Sequence, residues 1–233
     1  MTLTSPLRLE DCLEWRPLAW APAASTALDL AHPLLVPGAR ILEVGYFSGM
    51  MSCYLAATFG VHVTGYEVDP SSPTRARRNA EQYGLAALTD FRAGPAESVF
   101  EIQGPFDAVF MKSMLAQVTT SEEYDRWLCW VHSVLRQGGA LIALENGRGG
   151  WLTRLYRHVL SPKAYRNNCL IDHKRLEAYR RVFPLVEARY FGRVSQFLTG
   201  LPWLFRATVA IENRLCPPTE DANFVTAIVA FKG

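Results

Sequence analysis

Two short stretches hold the residue types and spacings that suit chemistry. The run Glu43-Val44-Gly45-Tyr46-Phe47-Ser48-Gly49 ends a β-rich segment with a glycine loop and leads into a helix-forming segment. Glycine lets a ligand approach the backbone because it has no Cβ. A helix that starts just after such a loop turns free N–H groups and its positive dipole end toward whatever is bound. Glu43, inside the strand end, suits an ammonium group. No Gly-Lys-Ser/Thr follows, so the loop is not a phosphate-binding P-loop. The second stretch, Val63-Thr64-Gly65-Tyr66-Glu67-Val68-Asp69, puts Glu67 at the tip of the next strand. An acid there, about 20 residues after the glycines, can accept both hydroxyls of a ribose. Asp69 is placed to cap the helix that follows.

These residues need strands and helices to position them, and the chain alternates the two. Residues 8–35 predict one or two short helices broken by Pro17 and Pro22. Strands are expected at 40–45, 61–67, 89–93, 106–111 and 140–144, with helices at 50–59 and 73–83, the latter stopping at Gly84. The clearest helix is 120–136, opened by a Thr120/Glu123 capping box and ended by Gly138-Gly139. After Gly150 come helices at 151–160 and 172–182, strands at 185–191 and 224–231, and an apolar helical segment at 194–215. Alternation of short, wholly apolar strands with helices implies a doubly wound α/β sheet with parallel strands covered on both faces. Ligands of such sheets sit at the carboxyl ends of the strands, where Lys112 and Ser113 follow strand four.

In order along residues 37–146, these stretches resemble the motifs of class I, Rossmann-like S-adenosylmethionine-dependent methyltransferases. Glu43 to Gly49 resembles their E/D-x-G-x-G-x-G, with Phe47 at the middle glycine, and Glu67 resembles their ribose-binding acid. Phe91-Arg92-Ala93-Gly94-Pro95-Ala96-Glu97 is similar to their adenine segment, with Pro95 in place of the usual acid. Phe106 to Phe110 and Leu135 to Leu141 resemble their fourth motif and their turn into strand five. The resemblance implies a seven-stranded sheet of order 3-2-1-4-5-7-6 with strand seven antiparallel. It implies one domain over 1–233: a cofactor half at 37–146 and an acceptor half at 147–233, with helical N-terminal and late insertions. It implies S-adenosylmethionine as cofactor and S-adenosylhomocysteine as product. The contacts it assigns are Glu43, Gly45, Tyr46, Ser48, Gly49, Glu67, Val68, Gly94, Pro95, Ala96, Lys112 and Ser113.

Methyl transfer needs alignment, exclusion of water and, for a hydroxyl acceptor, removal of a proton. Lys112, Glu145 and His173 are the expected catalytic residues; His158 lies in the same acceptor half. Glu145-Asn146 is similar to the metal pair of catechol-type O-methyltransferases. Their third ligand, an acid after strand four, is Lys112 here, which predicts metal independence, with Lys112 either paired with Glu145 across the mouth of the site or lowering the pKa of an acceptor hydroxyl directly. The aromatic-rich stretch with Phe197, Leu198, Leu201, Trp203 and Phe205 reads as a lid over a largely apolar small-molecule acceptor. Arg75, Arg77 and Arg78 read as a solvated helix face.

Of 233 residues, 49% are hydrophobic and 20% charged, with a net charge of +2. This fits a folded domain with one sizeable core and gives no sign of a nucleic-acid partner. Five cysteines without C-x-x-C spacing signal neither a disulfide framework nor a zinc site, and fit a cytoplasmic protein. No apolar stretch is long enough for membrane insertion; a homodimer is left open. Rival readings are action at the membrane surface on a lipid or quinone precursor, a non-methylating use of the cofactor such as cyclisation, and a dehydrogenase-type nucleotide site.

Overall fold

A computed structural model describes residues 7–160 and 170–233. Its centre is β1 (Arg40–Val44), whose residues 41–44 are all buried. Parallel neighbours flank it: β2 (His62–Glu67) and then β3 (Thr89–Ala93) on one side, β4 (Phe106–Lys112) and then β5 (Leu135–Asn146) on the other. β7 (Val225–Phe231) runs antiparallel between β5 and β6 (Leu185–Phe191). The order is β3-β2-β1-β4-β5-β7-β6, as the family resemblance implies.

Side chains alternate across the sheet, so each strand feeds two cores. Ile41, Phe110 and Ile142 pack with α2 (Pro17–Ala31), α3 (Met50–Phe59) and α4 (Ser72–Gln82). Leu42, Met111 and Leu141 pack with α5 (Ser121–Val134) and α7 (His173–Val182). Each such fully buried side chain contributes about 1.5–3 kcal/mol. α1 (Leu9–Cys12) precedes α2, α6 (Trp151–Leu160) follows β5, and α8 (Pro202–Leu215) lies between β6 and β7.

Two local expectations are corrected. Pro22 does not break its helix: α2 runs through it from Pro17, which starts the helix where a missing N–H costs nothing. An interior proline costs about 3 kcal/mol, and burial of Trp20, Ala23, Ala24, Ala27, Leu28 and Ala31 against the sheet outweighs it. Gly138-Gly139 does not end α5. The chain leaves helical geometry at Leu135 and pairs it with Phe106. The glycines form an irregularity inside β5, with Gly138 at φ +72°. Thr120 does cap α5, accepting from the Glu123 N–H at 3.2 Å.

Candidate active site

At the end of β1 the chain turns at Gly45, with φ +80°. Its N–H donates to Tyr66 O at 2.9 Å. A Cβ at Gly45 would point at Met114, 3.5 Å away, so glycine keeps the gap between loop and Met114 open. Phe47 is also left-handed, at φ +50°, which costs a non-glycine residue about 1–2 kcal/mol. Two contacts offset this: the Phe47 N–H donates to Glu67 Oε2 at 3.0 Å, and the Arg75 guanidinium lies 4.1 Å from the Phe47 ring centroid. Glu67 Oε1 accepts from Val68 N at 2.7 Å. Both carboxylate oxygens are thereby oriented with lone pairs to spare.

Three neighbours of that loop do structural work. Gly49 has φ +75°, and a Cβ there would meet Ala76 Cβ at 2.7 Å. The Tyr46 ring is buried, 5.0 Å from Phe91, and its hydroxyl donates to Arg92 O at 3.1 Å. Burial pushes that phenol up to about 12. Arg77 donates to Phe91 O at 2.7 Å. Arg75, Arg77 and Arg78 are all exposed, and Arg75 and Arg77 also brace the loop region through these contacts. No local signal marks the braces, since their partners lie 28 and 14 positions away.

Beneath the loop, buried Glu43 accepts from Ser52 Oγ. Burial pushes its pKa up to about 7; Ser52 opposes the shift and Glu14 adds to it. Glu14, on the turn between α1 and α2, accepts from Ser48 Oγ. Lys112, half-buried at the end of β4, places Nζ 5.0 Å from the Trp20 ring centroid. Burial lowers its pKa, against the raising effects of Glu14 and Glu43. Ser113, at φ +55°, donates its N–H to Leu144 O at 2.7 Å. Its Oγ accepts from Asn146 Nδ2 at 2.5 Å. Asn146 Oδ1 is buried with no hydrogen-bond partner among the described residues.

A cleft of about 240 Å³ opens between these groups. Of the expected cofactor contacts, Gly45, Glu67, Val68, Ala96, Lys112 and Ser113 line it, joined by Met114, Gln117 and Trp127. Glu43, Tyr46, Ser48 and Gly49 stand behind the lining. Gly94 and Pro95 face a separate groove beside Arg40 and Arg92; a Cβ at Gly94 would meet the Tyr66 hydroxyl at 2.5 Å.

The expected Lys112–Glu145 pair does not form. The register sets Lys112 opposite Leu144, and the next residue of a strand points to the other face. Lys112 faces α2; Glu145 is buried among Leu115, Arg175, Tyr124 and Tyr179. There Glu145 Oε1 accepts from Leu115 N at 3.2 Å, and Arg175 donates to Leu115 O at 3.1 Å and Val118 O at 2.6 Å. Glu145 is therefore placed to position the turn that carries Met114 and Gln117, with no contact to the cleft. His173 is exposed, its Nδ1 3.2 Å from Glu220 and its Nε2 4.0 Å from Glu177, and it does not line the cleft either. Nor does the expected lid: Phe205 is buried, whereas Trp203 is 71% exposed and turned to solvent. Among the described residues no three His, Cys, Asp or Glu side chains converge on a metal position.

Burial pushes the Glu145 carboxyl from 4.5 up to about 8. Between those values the folded chain holds a proton that the unfolded chain has lost, so stability falls as pH rises through the window. Urea unfolding at pH 5 and pH 8 is expected to show a loss larger by on the order of 2 kcal/mol in the wild type than in Glu145→Gln. Equal losses would remove the buried carboxyl as its source.

A methyltransferase-domain family model matches residues 41–139, from β1 into β5. The ubiquinone biosynthesis O-methyltransferase of Cereibacter sphaeroides (strain KD131 / KCTC 12085) is 32% identical over 120 residues, 52% of this chain and 46% of that protein. The chain thus matches about half the length of its curated relative. A Methanosarcina mazei S-adenosylmethionine-dependent methyltransferase superposes with a TM-score of 0.60 at 20% identity, covering 87% of this chain and 96% of that one. Magnesium protoporphyrin IX methyltransferase from Synechocystis PCC 6803, solved with bound S-adenosylhomocysteine, gives 0.62 at 15% identity, covering 93% and 84%. The matched segment holds the glycine loop and the acid-tipped second strand, and the whole sheet repeats the strand order of these enzymes. Residues 41–139 thus match a methyltransferase domain, and the fold is that of class I, Rossmann-like S-adenosylmethionine-dependent methyltransferases.

Proposed function

We propose that the chain transfers a methyl group from S-adenosylmethionine to a hydroxyl of a small, largely apolar acceptor, without a metal ion. The observation that carries this reading is the cleft itself, which Gly45, Glu67, half-buried Lys112 and Ser113 line together. The residues fit the cofactor. Glu67 has lone pairs free for two ribose hydroxyls, Gly45 leaves room for a ligand against backbone, and Val68 and Ala96 offer apolar cover for a base. Glu43 lies under the loop as a counter-charge to an ammonium group, and a cation above it would draw off the proton that burial makes it hold. When bound, the cofactor supplies a methyl group already activated by its sulfonium.

The chain then aligns the acceptor and handles one proton. As an ammonium, Lys112 lowers the pKa of a hydroxyl beside it, and burial, which lowers its own pKa, eases its passage to the neutral form that takes a proton. The orphaned Asn146 Oδ1 is available to accept a hydrogen bond from an acceptor. The O-methyltransferase activity in the relative's name supports a hydroxyl acceptor.

Calorimetric titration with S-adenosylmethionine, S-adenosylhomocysteine and NAD tests the cofactor. Binding of the first two is expected, and binding of NAD alone would overturn the reading. Gly45→Val is expected to remain folded by circular dichroism and to bind the cofactor about tenfold more weakly. A branched side chain at φ +80° strains the loop by about 1–2 kcal/mol and fills the gap toward Met114. Undiminished binding by a folded variant would place the cofactor elsewhere.

A further inference from the structure

We propose that the outer faces of α6 and α8 dock on an anionic lipid bilayer and hold the mouth of the cleft at its surface. The two helices share a pattern: Trp151-Leu152-Thr153-Arg154 opens α6, and Trp203-Leu204-Phe205-Arg206 follows Pro202 in α8. In each, the third residue of the pattern is buried, Thr153 and Phe205, so both helices are seated by equivalent faces. Their outward faces are apolar at helical spacing. Trp151, Leu155 and Val159 are 53–67% exposed, and Trp203, Ile211 and Leu215 are 57–75% exposed. A helix seated only on its own domain puts such a stripe inward.

Charge selects the occupant. α6 contains basic residues and no acid. The one acid of α8, Glu212, is buried and accepts from the N–H groups of Arg193, Val194 and Ser195 at 2.6–2.8 Å. Exposed Arg154, Arg206 and Arg214 border the apolar stripes, and Arg206 comes no nearer to Glu10 than 4.0 Å. Packing the same face of a second copy here would set arginines against arginines. Apolar stripes with exposed tryptophan and arginine match a helix lying in the headgroup layer of an anionic membrane. No helix among the described residues is long and apolar enough to cross a membrane, so the contact is interfacial.

The docking face is mechanically tied to the cleft. Gln196 Nε2 donates to Thr153 Oγ1 on α6, and Glu212 anchors residues 193–195 to α8. Arg16 donates to Gln196 O at 2.5 Å, and two residues before it Glu14 accepts from Ser48 of the glycine loop. An apolar acceptor dissolved in the bilayer would thus meet the protein beside its active site.

Co-sedimentation of the full chain with vesicles tests this, by a readout independent of methyl transfer. Binding is expected with mixed phosphatidylglycerol and phosphatidylcholine vesicles, weakening at raised salt, and not with phosphatidylcholine alone. Trp151→Ser combined with Trp203→Ser should weaken it at least about tenfold, with circular dichroism and cofactor affinity unchanged. Arg154→Glu with Arg206→Glu should have the same effect and serves if the first pair misfolds. No binding by the wild type, equal binding to neutral vesicles, or unchanged binding by folded variants would overturn the proposal. So would a dimer, seen by analytical ultracentrifugation, that these substitutions dissociate without any vesicle affinity in the wild type.

Discussion

Replacing Lys112 with alanine is expected to slow methyl transfer by about 10²- to 10⁴-fold, the usual contribution of a positioned acid–base group, while calorimetric affinity for the cofactor stays within about threefold, less than one ordinary hydrogen bond is worth. Lys112 is the last residue of β4 and lines the cleft, where burial and two carboxyl groups set its charge state. Burial lowers its pKa; Glu14 and Glu43 raise it. The Trp20 ring lies 5.0 Å from Nζ and restricts where the amine can go. Lys112→Arg separates the two roles. It retains a cation that can lower the pKa of a hydroxyl but cannot deprotonate, so partial activity would assign electrostatic help and near-complete loss would assign proton removal. EDTA is expected to leave the wild-type rate unchanged. Loss of rate in EDTA restored by magnesium, or full activity in Lys112→Ala, would sink this role.

Glu67→Ala is expected to weaken S-adenosylmethionine binding by about 1.5–3 kcal/mol, roughly 10- to 150-fold, the range for hydrogen bonds to a charged acceptor. The loss has two sources. One is the direct bonds to ribose hydroxyls. The other is the loop, because Glu67 Oε2 holds the Phe47 N–H and so the left-handed turn at Phe47. Glu67→Gln distinguishes them. Its amide oxygen can still accept from Phe47 N, so a small effect on stability with a large effect on binding points to the ribose contact. Titration of each variant by calorimetry, beside urea unfolding, gives both quantities. A folded Glu67→Ala that binds like the wild type would remove the assignment.

Six of the residues that line the cleft carry a pattern in the sequence. Glu43, Gly45 and Glu67 sit where a strand ends and a loop must bend, and each such position is signalled within a few residues. Gly49 was readable as a required glycine but not for the right reason: its Cβ is excluded by Ala76 and Phe91, contacts made by other elements. Gln117 and Trp127 carry no signal at all. They reach the cleft because the turn after β4 is held by Glu145 and Arg175, and because α5 lies beneath it.

By itself the sequence determined what depends on neighbours a few positions away. The period of apolar residues marked the strands and helices, Thr120 and Glu123 set the start of α5, and the glycine loop followed by an acid marked residues that line the cleft. Tertiary structure alone decided what depends on register and long-range packing. Lys112 and Glu145 are adjacent in the strand layout, yet a one-residue offset in the β4–β5 register puts them on opposite faces of the sheet. Pro22 stays inside α2 because the sheet buries that helix. Arg16 finds its partner 180 positions away at Gln196. Such pairings arise from the free energy of burying whole faces together, and that term does not exist until the elements have met.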